Sequence, residues 1–300
     1  MGFNLPQEDL KGMMTTFAAT PANGEYACNY LPDIVYACHE GRSLTLQIIK
    51  PEYEGRKYPC ILYVKGSSWQ KQKLYKNIPK LCQIAQKGFV VAQIEYREGN
   101  YANMVEDTKT AIRFMKKEAD KYGVDKSKIG LFGDSSGGHI ALMSVIEKDN
   151  YNGVLYPEED SSVAAVADFY GVTDLISLAK DYGMTAEYAE GFLTANLFPY
   201  ADKDIYTAAV NASPINHISD DLDIPPVLVV HGDRDSIVPF SQSTEFVKAM
   251  QKHKKQVYFF MLPVSVKRLC QERASSSNIG VWAFLVASNA FSRYSVNIGL

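Results

Sequence analysis

The chain reads as an α/β protein, a mostly parallel central sheet flanked by helices with a small helical cap insertion. Short apolar runs recur that do not alternate with polar residues, as strands buried on both faces require. Helix-periodic stretches separate those runs one by one, the rhythm of βαβ units. A total of 300 residues with 46% hydrophobic content supplies enough apolar surface for one such domain. The expected organisation is therefore a single domain over residues 1–300, with the insertion at about 173–223 and an atypical tail at 264–300.

In chain order, "IVYACHEGRSLTLQIIKP" predicts a hairpin with strands at 34–38 and 44–49 and a turn at Glu40–Gly41. Strands follow at 59–64 ("PCILYV"), 89–96 ("FVVAQIEY") and 128–133 ("KIGLFG"), with helices at 74–86 and 104–122. In the second helix, Val105, Ala111, Ile112 and Met115 form one apolar face. A helix at 136–148, strands at 163–171 and 225–233, a helix at 242–253 and a strand at 257–262 complete the pattern. The stretch 173–223 is too long for a simple crossover, and "AEYAEGFLTANLF" within it reads as helix.

Composition excludes several classes. The formal charge is −3, from 31 basic and 34 acidic residues without like-charge blocks, so no nucleic-acid footprint exists. No apolar run approaches the roughly 18 residues of a membrane span. The start, "MGFNLPQEDLKGMM", shows no signal-peptide pattern. A soluble protein is expected, cytoplasmic as written, or secreted or periplasmic if a leader was removed. The five cysteines, Cys28, Cys38, Cys60, Cys82 and Cys270, lack metal-ligand spacing and read as reduced, mostly buried thiols. No metal and no organic cofactor is implied, and the oligomeric state is open.

"LFGDSSGGHIA" places Gly133-Asp134-Ser135-Ser136-Gly137 where a strand ends and a helix begins, in the G-x-S-x-G pattern. Flanking glycines permit the sharp turn that lifts a Ser135 hydroxyl clear of the sheet as a nucleophile, with the Ser136 N–H facing a developing oxyanion. The plainer alternative is a β–α turn in which Ser135 caps the helix. "YVKGSSWQ" follows an earlier strand where a second oxyanion donor belongs, and the backbone N–H of Ser67 or Ser68 is the candidate. The alternative there is an ordinary loop with Trp69 in the core. "VVHGDRDSIVP" puts acids past a strand end, Asp235 as the candidate that orients a base and Asp233 as a brace of the turn.

These residues, with "GDSSGGHIA", "VKGSSW", "ADFYGVTDL", "ASPINHI" and "PPVLVVHGDRDSIVPFSQS", resemble the α/β-hydrolase family. The branch is that of hormone-sensitive-lipase-like and carbohydrate (acetyl or feruloyl) esterases, and the likeness covers about residues 34–263. The resemblance implies a serine carboxylic ester hydrolase working through an acyl-enzyme on a small-molecule or carbohydrate ester, with Ser135 as nucleophile and Asp235 as acid. Lys65, Ser67 and Ser68 stand where the family carries histidine and glycines.

The family's catalytic histidine belongs in the loop after the last strand, yet no histidine follows His253. His139 should point beneath the turn. His231 lies on a buried strand, His253 ends a helix and His39 belongs to the hairpin, while His217 has most freedom to reach a cleft. A structural role is the expectation for all five. The tail 264–300 holds one acid, Glu272, and seven serines in 37 positions, consistent with a reading-frame change or a divergent C-terminus. Loss of one triad member lowers kcat by about 10⁴–10⁶, so a poorly activated Ser135 is expected. Alternatives are a prolyl-oligopeptidase-like peptidase, against which Ser136 and the short N-terminal region argue, and a non-catalytic binding protein on the same scaffold.

Overall fold

The computed structural model describes residues 25–52, 55–200 and 204–262. The tail 264–300, and Cys270 with it, lies outside the described residues. Eight strands form one sheet: β1 (Cys28–His39), β2 (Arg42–Pro51), β3 (Tyr58–Val64), β4 (Val90–Ile94), β5 (Val124–Asp134), β6 (Ala165–Phe169), β7 (Val227–Gly232) and β8 (Val257–Leu262). Their order is β1-β2-β4-β3-β5-β6-β7-β8. β1–β2 and β2–β4 pair antiparallel and every other pair is parallel.

The apolar runs are continuous because alternate residues enter two different cores. Cys60, Leu62 and Val64 of β3 pack in one, while Ile61 and Tyr63 pack in the other. Val227 and Val229 of β7 divide from Leu228 and Val230 in the same way. The N-terminal hairpin is longer than its apolar pattern predicts. Ladder bonds run from Cys28 to Pro51, with irregularities between Leu31 and Ile34 and between Val35 and Ala37 on the edge strand.

Eight α-helices are described: α1 (Ile78–Ala85), α2 (Tyr101–Lys117), α3 (Ala119–Tyr122), α4 (Ser136–Ile146), α5 (Leu175–Asp181), α6 (Ala186–Asn196), α7 (Ile205–Asn211) and α8 (Phe240–Lys252). The expected helix at 74–86 opens as a 3₁₀ turn over Leu74–Asn77. The expected helix at 104–122 begins earlier, because the Asn100 side chain accepts the amides of Ala102 (3.0 Å) and Asn103 (3.4 Å). It breaks at Glu118, and Gly123 (φ +70°) ends α3. α4 is buried along its whole length, which explains why it is apolar nearly all round.

α5, α6 and α7 occupy the stretch between β6 and β7, their first turns capped by the side chains of Asp174, Thr185 and Asp204. The cysteines depart from expectation. Cys60 is buried, but Cys28 and Cys82 are half-buried and Cys38 is exposed, all with free thiols. Among the described residues no helix is long and apolar enough to cross a membrane.

Candidate active site

β5 ends at Asp134 and α4 starts at Ser136, so Ser135 alone makes the strand-to-helix turn. Its backbone takes φ +54° and ψ −127°, a conformation that L-residues rarely adopt and that persists only where the surroundings enforce it. Three contacts enforce it here. The Ser135 N–H donates to Phe169 O at 2.9 Å, fixing the turn to the end of β6. A Cβ at Gly137 would stand 2.0 Å from Val64 O, and one at Gly66 would stand 2.2 Å from Asp134 O. Glycine at both positions lets β3, its following loop and α4 close on the turn. The Ser135 side chain makes no hydrogen bond among the described residues, so it does not act as an N-cap of α4.

The loop after β3 is laced to this turn. Asp134 Oδ1 accepts from the Gly66 N–H (2.7 Å) and the Tyr63 hydroxyl (2.7 Å). Ser136 Oγ accepts from the Ser67 N–H (2.9 Å) and the Trp69 N–H (3.2 Å). Trp69 Nε1 donates to His139 Nδ1 at 3.0 Å, and the ring is buried as a core residue would be. The Gln70 N–H donates to Ser67 O at 3.1 Å. From residue 66 to 70, the Ser68 amide alone lacks a partner among the described residues, and Ser68 sits at φ +54°. The Ser67 amide is thus committed to the Ser136 hydroxyl and is not free for an oxyanion. The Ser136 amide, in the first turn of α4, has no intrahelical acceptor.

Asp235 lies three residues past the end of β7, and its side chain is fully buried. Oδ1 accepts from the amides of Ile237 (2.7 Å) and Val238 (3.0 Å). Oδ2 is buried and accepts no hydrogen bond among the described residues. It stands 3.3 Å from His231 Nε2, whose proton is directed to Val238 O at 3.1 Å. Asp233 is exposed, and its N–H donates to Leu262 O (2.9 Å), tying β7 to β8.

All five histidines of the chain fall within the described residues, and none reaches Ser135. His139 Nε2 donates to Ala212 O (2.7 Å) while Nδ1 accepts from Trp69. His231 Nδ1 pairs with the Ser243 hydroxyl at 2.7 Å. His39 faces Asp107 (3.4 Å), His253 faces Asp220 (2.9 Å) and His217 Nε2 bonds Asn211 O (2.6 Å). Even His217, the most mobile by sequence, is spoken for.

Sequence reasoning missed two features. Asp134 and the Ser136 hydroxyl fasten the loop, although both stand inside the quoted motif. Asp168, next to last in β6 before Phe169, is wholly buried, and neither of its carboxylate oxygens accepts a hydrogen bond among the described residues. Burial pushes its carboxyl up to about 7. The insertion also touches the site: Gln70 Nε2 donates to Asn196 Oδ1, and the Tyr182 hydroxyl donates to Ile237 O beside Asp235.

Comparison with known proteins agrees with this architecture. The family model described as BD-FAE matches residues 46–250. A Mycobacterium tuberculosis protein named "Probable carboxylic ester hydrolase LipM" is 30% identical over 242 residues, 76% of this chain and 54% of its own length. The chain spans about half the length of the curated relatives it matches. Among solved structures, a "truncated form of carbohydrate esterase from gut microbiota" superposes with a TM-score of 0.71 at 25% identity, covering 90% of this chain and 99% of that one. Esterase 2 of Thermogutta terrifontis, solved "phosphorylated by paraoxon", gives a TM-score of 0.67 at 24% identity over 87% and 94% of the two chains, a likeness of fold.

Proposed function

We propose, for a chain that belongs to the BD-FAE family and has the α/β-hydrolase fold, that it is a carboxylic ester hydrolase built around Ser135. The observation that carries this reading is the enforced φ of +54° at Ser135, with unpaired Ser68 and Ser136 amides on the two segments packed against it. Ser135 Oγ attacks the ester carbonyl carbon, and the carbonyl electron pair moves to oxygen, where those two amides hold it. Collapse of the adduct breaks the bond to the alcohol and leaves acyl-Ser135, which water then cleaves.

The Ser135 proton needs an acceptor. Strands β5 and β7 are separated by β6 alone, about 10 Å at ~4.8 Å per strand spacing. On this reading an imidazole ring standing over the end of β6 joins the two. The buried, unengaged Oδ2 of Asp235 is suited to orient such a ring, and no histidine of this chain supplies it. The acceptor is then solvent, and turnover is slow. A carbohydrate ester is the substrate class we favour, from the name of the carbohydrate esterase it resembles, with acetyl or feruloyl as the acyl groups that the sequence resemblance implies.

Paraoxon tests the reading, since its phosphoryl oxygen needs the same two amides, and its good leaving group, nitrophenoxide, departs as the Ser135 proton passes to solvent. Intact-mass analysis of the full chain should show a single diethyl-phosphoryl adduct that maps to Ser135 and disappears in Ser135→Ala. An unmodified wild-type chain after prolonged exposure would favour a protein that keeps the hydrolase cleft for binding.

A further inference from the structure

The hydroxyl of Ser136 has a different environment from that of its neighbour. Ser136 is 1% exposed, and its Oγ accepts two backbone amides from the loop after β3, those of Ser67 and Trp69. The same loop is braced by the Tyr96 phenol, which donates to Lys65 O at 2.7 Å and lies 3.3 Å from Ser67 Oγ. Ser68 lies between the two clamped amides. Both Ser68 (φ +54°) and Trp69 (φ +60°) occupy the left-handed region without being glycine. Two successive residues in that region are unfavourable for L-amino acids, so the loop needs outside bonds to keep this shape.

Between these two clamped amides, the Ser68 N–H makes no hydrogen bond among the described residues. We infer that Ser136 is a positioning residue whose hydroxyl presets the Ser68 amide as oxyanion donor, in addition to the donor its own backbone provides. The inference rests on the hydrolase reading given above and deepens it. It also accounts for serines at 67 and 68, where the resemblance leads one to expect glycines. Glycine reaches a left-handed turn through its own freedom, whereas Ser68 and Trp69 are held there by a neighbour's side chain.

The consequence is specific to the step in which negative charge appears on oxygen. A displaced donor weakens stabilisation of the developing oxyanion and leaves ground-state contacts intact. Full-length Ser136→Ala, which removes the acceptor, should therefore react with paraoxon at least about tenfold more slowly at saturation. Its half-saturating paraoxon concentration should stay near the wild-type value. Ser136→Thr, which keeps the hydroxyl, should recover most of the rate.

Amide hydrogen exchange gives a readout independent of chemistry. In Ser136→Ala the Ser67 and Trp69 amides should lose protection, while the Gly66 amide, held by Asp134, keeps it. Unchanged exchange at 67 and 69, or an unchanged saturating rate, would overturn the inference. A wild-type chain inert to paraoxon would overturn the hydrolase reading instead, and the exchange comparison would still decide whether Ser136 holds the loop.

Discussion

Two buried ionisable groups flank Gly138: His139 follows it in sequence, and Asp168 Oδ1 lies 2.1 Å from where a Cβ on that glycine would stand. Burial holds the His139 imidazole down to about 4 from an ordinary 6.5, and burial lifts the Asp168 carboxyl to about 7 from 3.8. The signs oppose. For His139 the unfolded chain binds more protons between pH 6.5 and 4, so its contribution is complete above 6.5 and is lost as pH falls, about 3 kcal/mol in all. For Asp168 the folded chain binds more protons between 3.8 and 7, so stability present below 3.8 is lost as pH rises, about 4 kcal/mol in all. Between pH 4 and 6.5 the two slopes nearly cancel. Removing the carboxyl should expose the histidine slope. In urea titrations, Asp168→Asn should lose stability relative to wild type as pH falls from 6.5 to 4.5, by roughly 1 kcal/mol per pH unit. A difference that does not vary with pH would show that Asp168 does not titrate in this range.

At the scale of elements, the central strands were legible because two-sided burial leaves short apolar runs without alternation, bounded by turn residues and too short for a helix. The Ser135 turn and the Asp235 loop were legible for the same local reason, since small residues and acids sit at fixed offsets from strand ends. What holds those elements together was not. Asp134 reaches Tyr63 and Gly66 across 71 and 68 residues, and Ser136 reaches Ser67 and Trp69 across 69 and 67, pairings that no local pattern encodes. Lys109 is the sharpest case. It stands one turn from Val105 on the apolar face of α2 and is wholly buried, although lysine is a residue type that sequence reading places in solvent. Its Nζ donates to the carbonyls of Glu147, Lys148 (3.0 Å) and Asn150 (2.6 Å) just past the end of α4. Arg113, one turn further along α2, donates to Leu155 O (3.0 Å) and Asn152 O. Together they supply donors to carbonyls of the segment that follows α4, from Glu147 to Leu155. Lys109→Met keeps the apolar stem and deletes the ammonium, stranding three carbonyls. The expected loss in denaturant unfolding is about 2–4 kcal/mol, with the paraoxon rate at Ser135 unchanged, since α4 begins ten residues upstream of its own end. A loss below about 0.5 kcal/mol would mean that water satisfies the carbonyls equally well.

Across the whole molecule, the parts that the proposed hydrolase mechanism needs are unequally provided. The turn, the two amides and the buried carboxylate come from the ends of β3, β5 and β7, three strands that the sheet order brings to one edge of the site. The imidazole that would join the hydroxyl to the carboxylate comes from none of the five histidines, because each ring already has a structural partner. The sequence already pointed to this deficit, since residue type can be counted without knowing the fold. On that reading the fold adds where the ring would stand, beside Asp235 Oδ2, which is buried and accepts no hydrogen bond among the described residues. A site lacking only its proton carrier should accept one from solution. With para-nitrophenyl acetate, Ser135-dependent turnover of the chain should lie below about 1 s⁻¹ and rise with hydroxide, without the plateau that a histidine near 6.5 would produce. Added imidazole should raise the Ser135-dependent rate with saturation, and Asp235→Ala should abolish that saturation while leaving the slow hydroxide-driven rate. Turnover above about 1 s⁻¹ with an inflection between pH 6 and 7 would instead mean that one of the five rings leaves its partner to serve as base, and His217, held by a single exposed bond to Asn211 O, would be the first to replace.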